Sequence, residues 1–337
     1  MQVGGRTLAT VAVALGLFAP ASASAATVTV TGDDGNPVAL TPGVATPLRT
    51  INQTVALDVP QGDGASYKWI ATGPSGTTAT SISTDNCWST IRKDSGRIVY
   101  AGNGPYTLTL STYTDTRCTS GAKSTAYSWS VNAGVSLGQP GGPLLLRPAN
   151  SLTTNTHLID FAGNPGTSVY EVRYAKGGTI GPDGAIAGPS NPARVDDATG
   201  KVAFSPYDGP GAYVMVARAT YLGAATPWSA PITINMQSPF DISSVSFPDS
   251  RGPSYQLAAT VREKAIAGGR VTVAVAKGKK GKRFRTLGKA RVNSQGVLKL
   301  RFRLARGTYR VRFSYSGGPA VTRGTQYGSM RITRRIF

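Results

Sequence analysis

The sequence predicts an all-β protein with three tandem β-sandwich domains that follow a signal peptide. Short runs of β-branched and aromatic residues alternate apolar with polar positions, and turns rich in Gly, Pro, Asn and Asp separate these runs. The glutamate-rich periodicity of amphipathic helices is absent, since the chain has only two glutamates, Glu171 and Glu263. The 337 residues exceed one ordinary domain of roughly 100–200 residues.

Residues 1–25 have the pattern of a signal peptide. Arg6 gives the positive start, residues 8–18 are apolar, and Ala21-Ser-Ala-Ser-Ala25 supplies the small residues that precede cleavage. The apolar run is shorter than the roughly 20 residues of a transmembrane helix; a buried N-terminal helix is the alternative. We therefore expect a secreted, extracellular or cell-surface protein whose mature chain has no transmembrane span.

The two cysteines, Cys87 and Cys118, predict one disulfide bond, because export places them in an oxidising compartment. Closing a loop of this length contributes roughly 3.5 kcal/mol in the chain-entropy model. Two free thiols are the alternative.

The first block, residues 26–132, is predicted to be a sandwich with Trp69 as its central core residue. It looks immunoglobulin-like, but Trp69 precedes both cysteines, so the disulfide pairing of antibody domains is not carried over. The half-buried strands that alternation predicts are Thr27–Thr31, Thr54–Val59, Ser66–Ala71, Pro105–Tyr113 and Ala126–Val131.

The second block, residues 133–237, ends in a segment that resembles the last two strands of a fibronectin type III domain. Residues 211–235 have an aromatic, alternating apolar residues, a glycine turn and then Trp228-Ser-Ala-Pro. Val169–Tyr174 resembles the third strand of that family, and Leu158–Phe161 stands where the family has an early tryptophan. The resemblance implies a β-sandwich with Trp228 in its core.

The third block, residues 238–337, resembles the bacterial immunoglobulin-like repeats of secreted and surface adhesins. It carries the patterns G-x-V-T, L-G-x-A-x-V and G-T-Y…Y-S-G in the family's order, in the strands Gly269–Val275, Thr286–Val292, Gly296–Leu304 and Arg306–Gly317. Gly318 replaces the Asp that usually follows Y-S-G, so cation binding there is not carried over. The resemblance implies a bacterial adhesion or structural protein, with Tyr309, Phe313 and Tyr315 in the core.

The positive charge is concentrated in one domain. Residues 26–132 hold seven Lys/Arg and seven Asp, and residues 133–237 hold six cations and six acids. Residues 238–337 hold 22 Lys/Arg against three acids, a net charge of +19 out of the +20 of the chain. Like charges on a small domain repel one another, so folding alone does not explain this excess.

Two groups of cations form the candidate anion-binding set. One is KGKKGKRFR, residues 277–285, whose glycines predict a mobile loop. The other lies on two strands that alternate apolar residues inward with cations outward and that are expected in opposite sheets. The set is Lys277, Lys279, Lys280, Lys282, Arg283, Arg285, Lys299, Arg301, Arg303, Arg310 and Arg312.

The predicted partner is an anionic polymer or surface, namely the cell wall, an acidic polysaccharide or lipid headgroups. Export argues against nucleic acid, and the sequence shows no stacking platform or recognition motif for it. The alternative is that the cations only keep the domain soluble and protect exposed strand edges from pairing.

The sequence argues against an enzyme, and it predicts no cofactor and no metal. His157 is the only histidine, which excludes His clusters, and no Gly-x-Ser-x-Gly or phosphate-binding loop is present. Residues 33–37 and the Asp196-Asp197 pair have the composition of turns, with a calcium ligand as the alternative there. His157 itself is expected to be a surface or hydrogen-bonded strand residue.

A second function stays open from the sequence, that of a carbohydrate-binding or enzyme-accessory protein. Trp88 follows Cys87 in an apparent loop, where an exposed indole could stack on a sugar ring. The alternative is that Trp88 packs against the disulfide.

Overall fold

The computed structural model describes residues 26–60, 64–76, 86–89, 93–146, 156–166, 168–206, 208–247, 254–262 and 264–333. Across these ranges the chain forms β-strands and one short 3₁₀ turn, Lys264–Ile266. The all-β prediction is confirmed. The predicted signal peptide, residues 1–25, lies outside the described residues.

Two four-stranded sheets form the first block. Their orders are β2-β1-β4-β6 and β3-β8-β7-β5, with β3 parallel to β8 and every other pair antiparallel. The strands are β1 (Thr27–Thr31), β2 (Pro37–Leu40), β3 (Ala45–Leu48), β4 (Gln53–Asp58), β5 (Ser66–Thr72), β6 (Lys93–Ile98), β7 (Gly104–Tyr113) and β8 (Lys123–Val131).

The inward faces of these sheets share one apolar core. Trp69 is 2% exposed, as predicted for the central residue, and its indole N–H donates to the Asp94 carboxylate at 2.8 Å. Trp129 is fully buried, stacks on Tyr106 with ring centroids 5.6 Å apart, and donates its N–H to Gln53 Oε1 at 2.6 Å. Both indoles therefore satisfy their one polar group inside the sandwich.

The second block forms one continuous sheet in the order β10-β19-β17-β12-β15-β16-β11-β9, with β18 beside β17 and a separate hairpin β13-β14. The strands are β9 (Ser136–Leu137), β10 (Leu144–Leu145), β11 (His157–Ala162), β12 (Val169–Lys176), β13 (Thr179–Ile180), β14 (Ile186–Ala187), β15 (Asn191–Asp196), β16 (Lys201–Phe204), β17 (Gly211–Tyr221), β18 (Ala224–Ala225) and β19 (Ile232–Gln237).

This sheet differs from the two separate sheets that a sandwich predicts. β15 pairs with β12 on one side and with β16 on the other, so it joins the two halves. Phe204 of β16 nevertheless packs edge-on against Tyr174 of β12 and Tyr213 of β17, at centroid distances of 5.0 and 5.8 Å. The sheet therefore curls round one main core.

The third block packs a three-stranded sheet, β20-β21-β24, on a four-stranded sheet, β23-β22-β25-β26. Tyr309, Phe313 and Tyr315 are buried between the sheets, as predicted. The strands are β20 (Ile242–Ser246), β21 (Tyr255–Val261), β22 (Arg270–Lys277), β23 (Arg285–Arg291), β24 (Val297–Phe302), β25 (Gly307–Tyr315) and β26 (Gly324–Ile332).

The described residues of the first two blocks contact each other at several places, one of them a hydrogen bond from the Arg49 guanidinium to the Ala162 carbonyl. The Arg97 guanidinium of β6 lies over the Tyr221 ring at the end of β17, 4.5 Å from its centroid. At another place a Cβ built on Gly166 would lie 1.4 Å from the Asp33 carbonyl oxygen, and Gly166 has a φ of +93°. Only glycine fits this approach of two backbones.

Candidate functional site

The cations of the third block lie on the outward faces of both sheets. Lys299 and Arg301 are exposed on β24, and Arg303 is exposed just after that strand ends. Arg310 and Arg312 lie on β25 in the other sheet and are half-buried. The prediction that the two strands belong to opposite sheets is confirmed.

The KGKKGKRFR segment has more defined contacts than a freely mobile loop. The Gly278 N–H donates to the Thr308 carbonyl at 2.7 Å, which ties the start of the loop to β25. A Cβ on Gly281 would lie 2.8 Å from the Ala276 Cβ, so this glycine folds back onto the sheet. Arg285 begins β23, and the remaining cations of the segment are exposed: Lys277, Lys279, Lys280, Lys282 and Arg283.

Four side chains form a cluster on the outward face of the four-stranded sheet, which we call the arginine–aromatic cluster: Phe284, Arg310, Arg312 and Tyr327. The Arg310 guanidinium carbon lies 4.2 Å from the Tyr327 ring centroid and 5.8 Å from that of Phe284. The Arg312 guanidinium carbon lies 4.6 Å from the Phe284 centroid, and the two rings are 5.9 Å apart. Cation–π contacts therefore hold both guanidinium groups.

Strand register brings this cluster together. Arg312 pairs with Tyr327 across β25 and β26, and Arg310 and Arg312 pair with Ala276 and Ala274 across β25 and β22. Both alanines are almost fully buried although they point away from the core. Because alanine side chains are small, they leave room for the arginines and the loop to pack on the sheet.

The cluster is electrostatically uncompensated. The four strands of its sheet contain no Asp or Glu. In the part of the chain that the structure describes, neither arginine forms an ion pair, and the buried Nε of Arg312 has no hydrogen-bond partner. Asp241, one of the three acids of the block, forms an ion pair with Arg262 and accepts a hydrogen bond from the Gln326 side-chain amide.

Sequence reasoning selected the two arginines but missed the two rings. A usable signal was present, since Tyr327 alternates with the inward residues Met330 and Ile332 and Phe284 is an aromatic between two arginines. The distance along the chain, 43 residues between the two rings, hides their contact.

The first-block candidate, Trp88, packs instead of presenting a free ring. Its backbone N–H and carbonyl both pair with Tyr67 at 3.0 Å, and its side chain lies against the core. The predicted disulfide bond joins Cys87 and Cys118, and Cys118 is buried beside Ser66 Oγ at 3.1 Å. The Trp88 side chain is therefore half-buried against the core of the first block.

The prediction that Trp228 is a core residue is wrong. Its ring is half-buried on the outer side of the sheet, where the Arg218 guanidinium lies 4.3 Å from the ring centroid. Arg218 also pairs with Glu171 at 2.7 Å. Although burial raises the Glu171 pKa, hydrogen bonds from Arg218 and Arg173 lower it by more, so the carboxylate titrates below its usual range.

His157 begins β11, as predicted, but it is not fully hydrogen-bonded. Its ring lies 6.3 Å from Phe204, and its buried Nε2 has no partner among the described residues. Burial lowers the pKa of the imidazole.

The acidic clusters form turns, as predicted. Asp34 accepts from the Asn36 side-chain amide and from the Asn36 backbone N–H, each at 3.1 Å, which lowers the Asp34 pKa, and Asp196 accepts from the Ala198 N–H at 3.0 Å. No group of three or more His, Cys, Asp or Glu that could hold a metal occurs within the described ranges. Those ranges also contain no helix long and apolar enough to cross a bilayer.

No protein-family model matches the chain, and no curated protein matches it. Among solved structures it is similar to the FN1–FN3 domains of chicken CNTN1, with 11% identity over 85% of this chain and 96% of that one and a TM-score of 0.23. It is similar to the D00–D0 domain of intimin, with 14% identity over 59% of this chain and all of that one and a TM-score of 0.30. A third is Drosophila OTK, extracellular domains 3–5, with 12% identity, 87% and 95% coverage and a TM-score of 0.28. By its own strand pairing and cores, this chain is an all-β protein in which each of the three blocks has its own hydrophobic core.

Proposed function

We propose that this is an exported, non-enzymatic adhesion or structural protein of a bacterial cell exterior, whose third block binds an anionic polymer or surface. The first two blocks act as neutral spacers, because each has equal numbers of cations and acids. The third block supplies the attachment.

The observation that carries the proposal is the placement of the +19 charge. Cations occupy the outward faces of both sheets and the loop between β22 and β23, while the four-stranded sheet has no carboxylate in its strands. Many exposed charges attract a polyanion by long-range, salt-sensitive contacts. Edge protection alone needs a few lysines on edge strands, and β25 is a central strand of its sheet.

The mature chain, residues 26–337, should be tested for binding to purified cell wall, an acidic polysaccharide, anionic liposomes and DNA. We expect binding that weakens strongly between about 50 and 300 mM salt, since the screening length shortens over this range. Changing the six cations of KGKKGKRFR to Gln should weaken it further.

A control variant changes three exposed cations of the first two blocks, Arg117, Lys123 and Arg194, to Gln. This variant should bind like the parent chain. If the parent binds none of the four partners even at low salt, the proposal fails and the charge serves solubility.

A further inference from the structure

We propose that the arginine–aromatic cluster is a pre-organised carboxylate-binding site, and that its ligand is an acidic polysaccharide laid along β25 and β26. This rests on the proposed function and specifies it, because it assigns a particular ligand class to one face of the third block.

The guanidinium groups of Arg310 and Arg312 are already held in place by the two rings. A long cationic side chain normally loses rotamer freedom when it binds, at roughly 0.5–1.5 kcal/mol per side chain. Arg310 already lies over Tyr327 and Arg312 over Phe284 without any ligand. Much of that ordering cost is therefore met before an anion arrives, unlike at the exposed Lys279 and Lys280.

The guanidinium N–H groups of Arg310 and Arg312 can donate hydrogen bonds to a carboxylate. A guanidinium presents a planar fork of N–H donors that matches the two oxygens of a carboxylate. Neither arginine is paired with a carboxylate in the described chain, and the Arg312 Nε–H is buried without a partner. A buried donor without a partner carries a desolvation cost.

Hydroxyl side chains lie on the same face of the sheet as the two arginines. The register places a hydroxyl opposite a cation at two positions of the same face, Thr308 opposite Arg331 and Ser329 opposite Arg310. A surface that carries both cations and hydroxyls complements a chain of sugars that carry both carboxylates and hydroxyl groups. The face is also open, since Ser329 and Arg331 are exposed.

Nucleic acid fits this face less well. Single strands bind by stacking bases on open aromatic faces, but a guanidinium lies over each ring of the cluster. A lipid surface would favour exposed apolar side chains to insert, whereas Tyr327 is the one large hydrophobic residue of the four strands that is exposed. Charge and hydroxyl complementarity therefore favour the polysaccharide.

The test is a charge-conserving double substitution, Arg310→Lys with Arg312→Lys, in the mature chain. The probe is a polyuronate, immobilised on a sensor, with polyphosphate and single-stranded DNA in parallel. Lysine keeps both charges but lacks the planar fork, so we expect polyuronate affinity to fall about tenfold or more. The matched control, Arg117→Lys with Arg194→Lys at exposed positions of the first two blocks, should change it less than about twofold.

A second variant, Phe284→Leu with Tyr327→Leu, keeps apolar side chains and both arginines but removes the π faces. It should also lose affinity if the rings hold the guanidinium groups, while its circular dichroism should match the parent. Polyuronate binding that is salt-sensitive but unchanged in both variants would overturn this site and leave the proposed function standing. Absence of any polyanion binding by the parent would overturn both, and tighter binding of polyphosphate or DNA than of polyuronate would overturn the ligand class.

Discussion

Reduction of the Cys87–Cys118 bond should destabilise the first block selectively. The bond links the segment before β6 to the turn between β7 and β8, with a sequence separation of 31 residues. Neither cysteine belongs to the hydrophobic core of the sandwich, which includes Trp69 and Trp129. We therefore expect the native fold to survive reduction at room temperature with a lower free energy of unfolding.

The magnitude follows from the closed loop. A cross-link across about 30 residues reduces the entropy of the unfolded chain by an amount worth roughly 3.5 kcal/mol. For a domain of about 100 residues, an unfolding entropy near 2.1 cal/mol/K per residue converts this to a midpoint shift of about 17 °C.

Tryptophan fluorescence is a suitable assay because three of the four tryptophans, Trp69, Trp88 and Trp129, belong to the first block. Thermal unfolding of a protein comprising residues 26–337 should be followed with and without dithiothreitol. A variant with both cysteines changed to Ala is the control, and the reductant should not shift its midpoint. If reduction of the parent lowers the midpoint by less than about 3 °C, the loop-entropy reasoning is refuted for this protein.

Two further predictions concern the first and second blocks. Gly166→Ala should cost at least about 1–3 kcal/mol of stability, because its Cβ would meet the Asp33 carbonyl oxygen 1.4 Å away. The control Gly200→Ala should cost less, because Gly200 also has a positive φ but has open space around it. Equal losses of unfolding free energy in the two variants, measured by chemical denaturation, would contradict the argument from close approach. Burial raises the pKa of Tyr67, Tyr100 and Tyr213 to about 12. These neutral tyrosines therefore stabilise the folded state fully below about pH 10, the ordinary tyrosine pKa. This contribution to stability is lost as pH rises through 12. Absorbance at alkaline pH should show these groups ionising with unfolding, and their titration near pH 10 in folded protein would count against the burial.

Alternation of apolar and polar residues was enough to predict the well-buried strands. In β25 the buried Tyr309, Val311, Phe313 and Tyr315 alternate with outward residues over the whole strand. The strand β6, with the sequence KDSGRI, was missed because Ile98 is its only large apolar residue. Such strands are held by pairing with β4, which local composition does not reveal.

The candidate site, too, could be predicted from the sequence only in part. The outward direction of Arg310 and Arg312 follows from a two-residue period, so the sequence predicts it. Their contacts with Phe284 and Tyr327 depend on the register of β25 with β26 and on the path of the glycine loop. Neither feature has a local pattern, and the same glycines that suggested mobility allow Gly281 to lie against Ala276.

The charge of the third block leads to a prediction in which salt acts in two directions. Two arginines two residues apart on a strand are roughly 7 Å apart, and their repulsion is about 0.6 kcal/mol in bulk water and larger near a protein surface. Raising salt from about 50 to 300 mM screens such repulsion. The unliganded third block should therefore become more stable, while its affinity for a polyanion falls.

Hydrogen exchange of the mature chain can measure both effects, since peptides from β25 report on the third block and peptides from β4 on the neutral first block. We expect higher salt to slow exchange in β25 relative to β4, and a polyanion added at low salt to slow it as well, because a ligand of the folded state stabilises it. Neutralising KGKKGKRFR should diminish both responses. If salt leaves β25 unchanged while it abolishes polyanion binding, the charges do not repel one another appreciably in the folded domain. The excess would then cost the domain little stability, and its presence would no longer need a ligand to explain it.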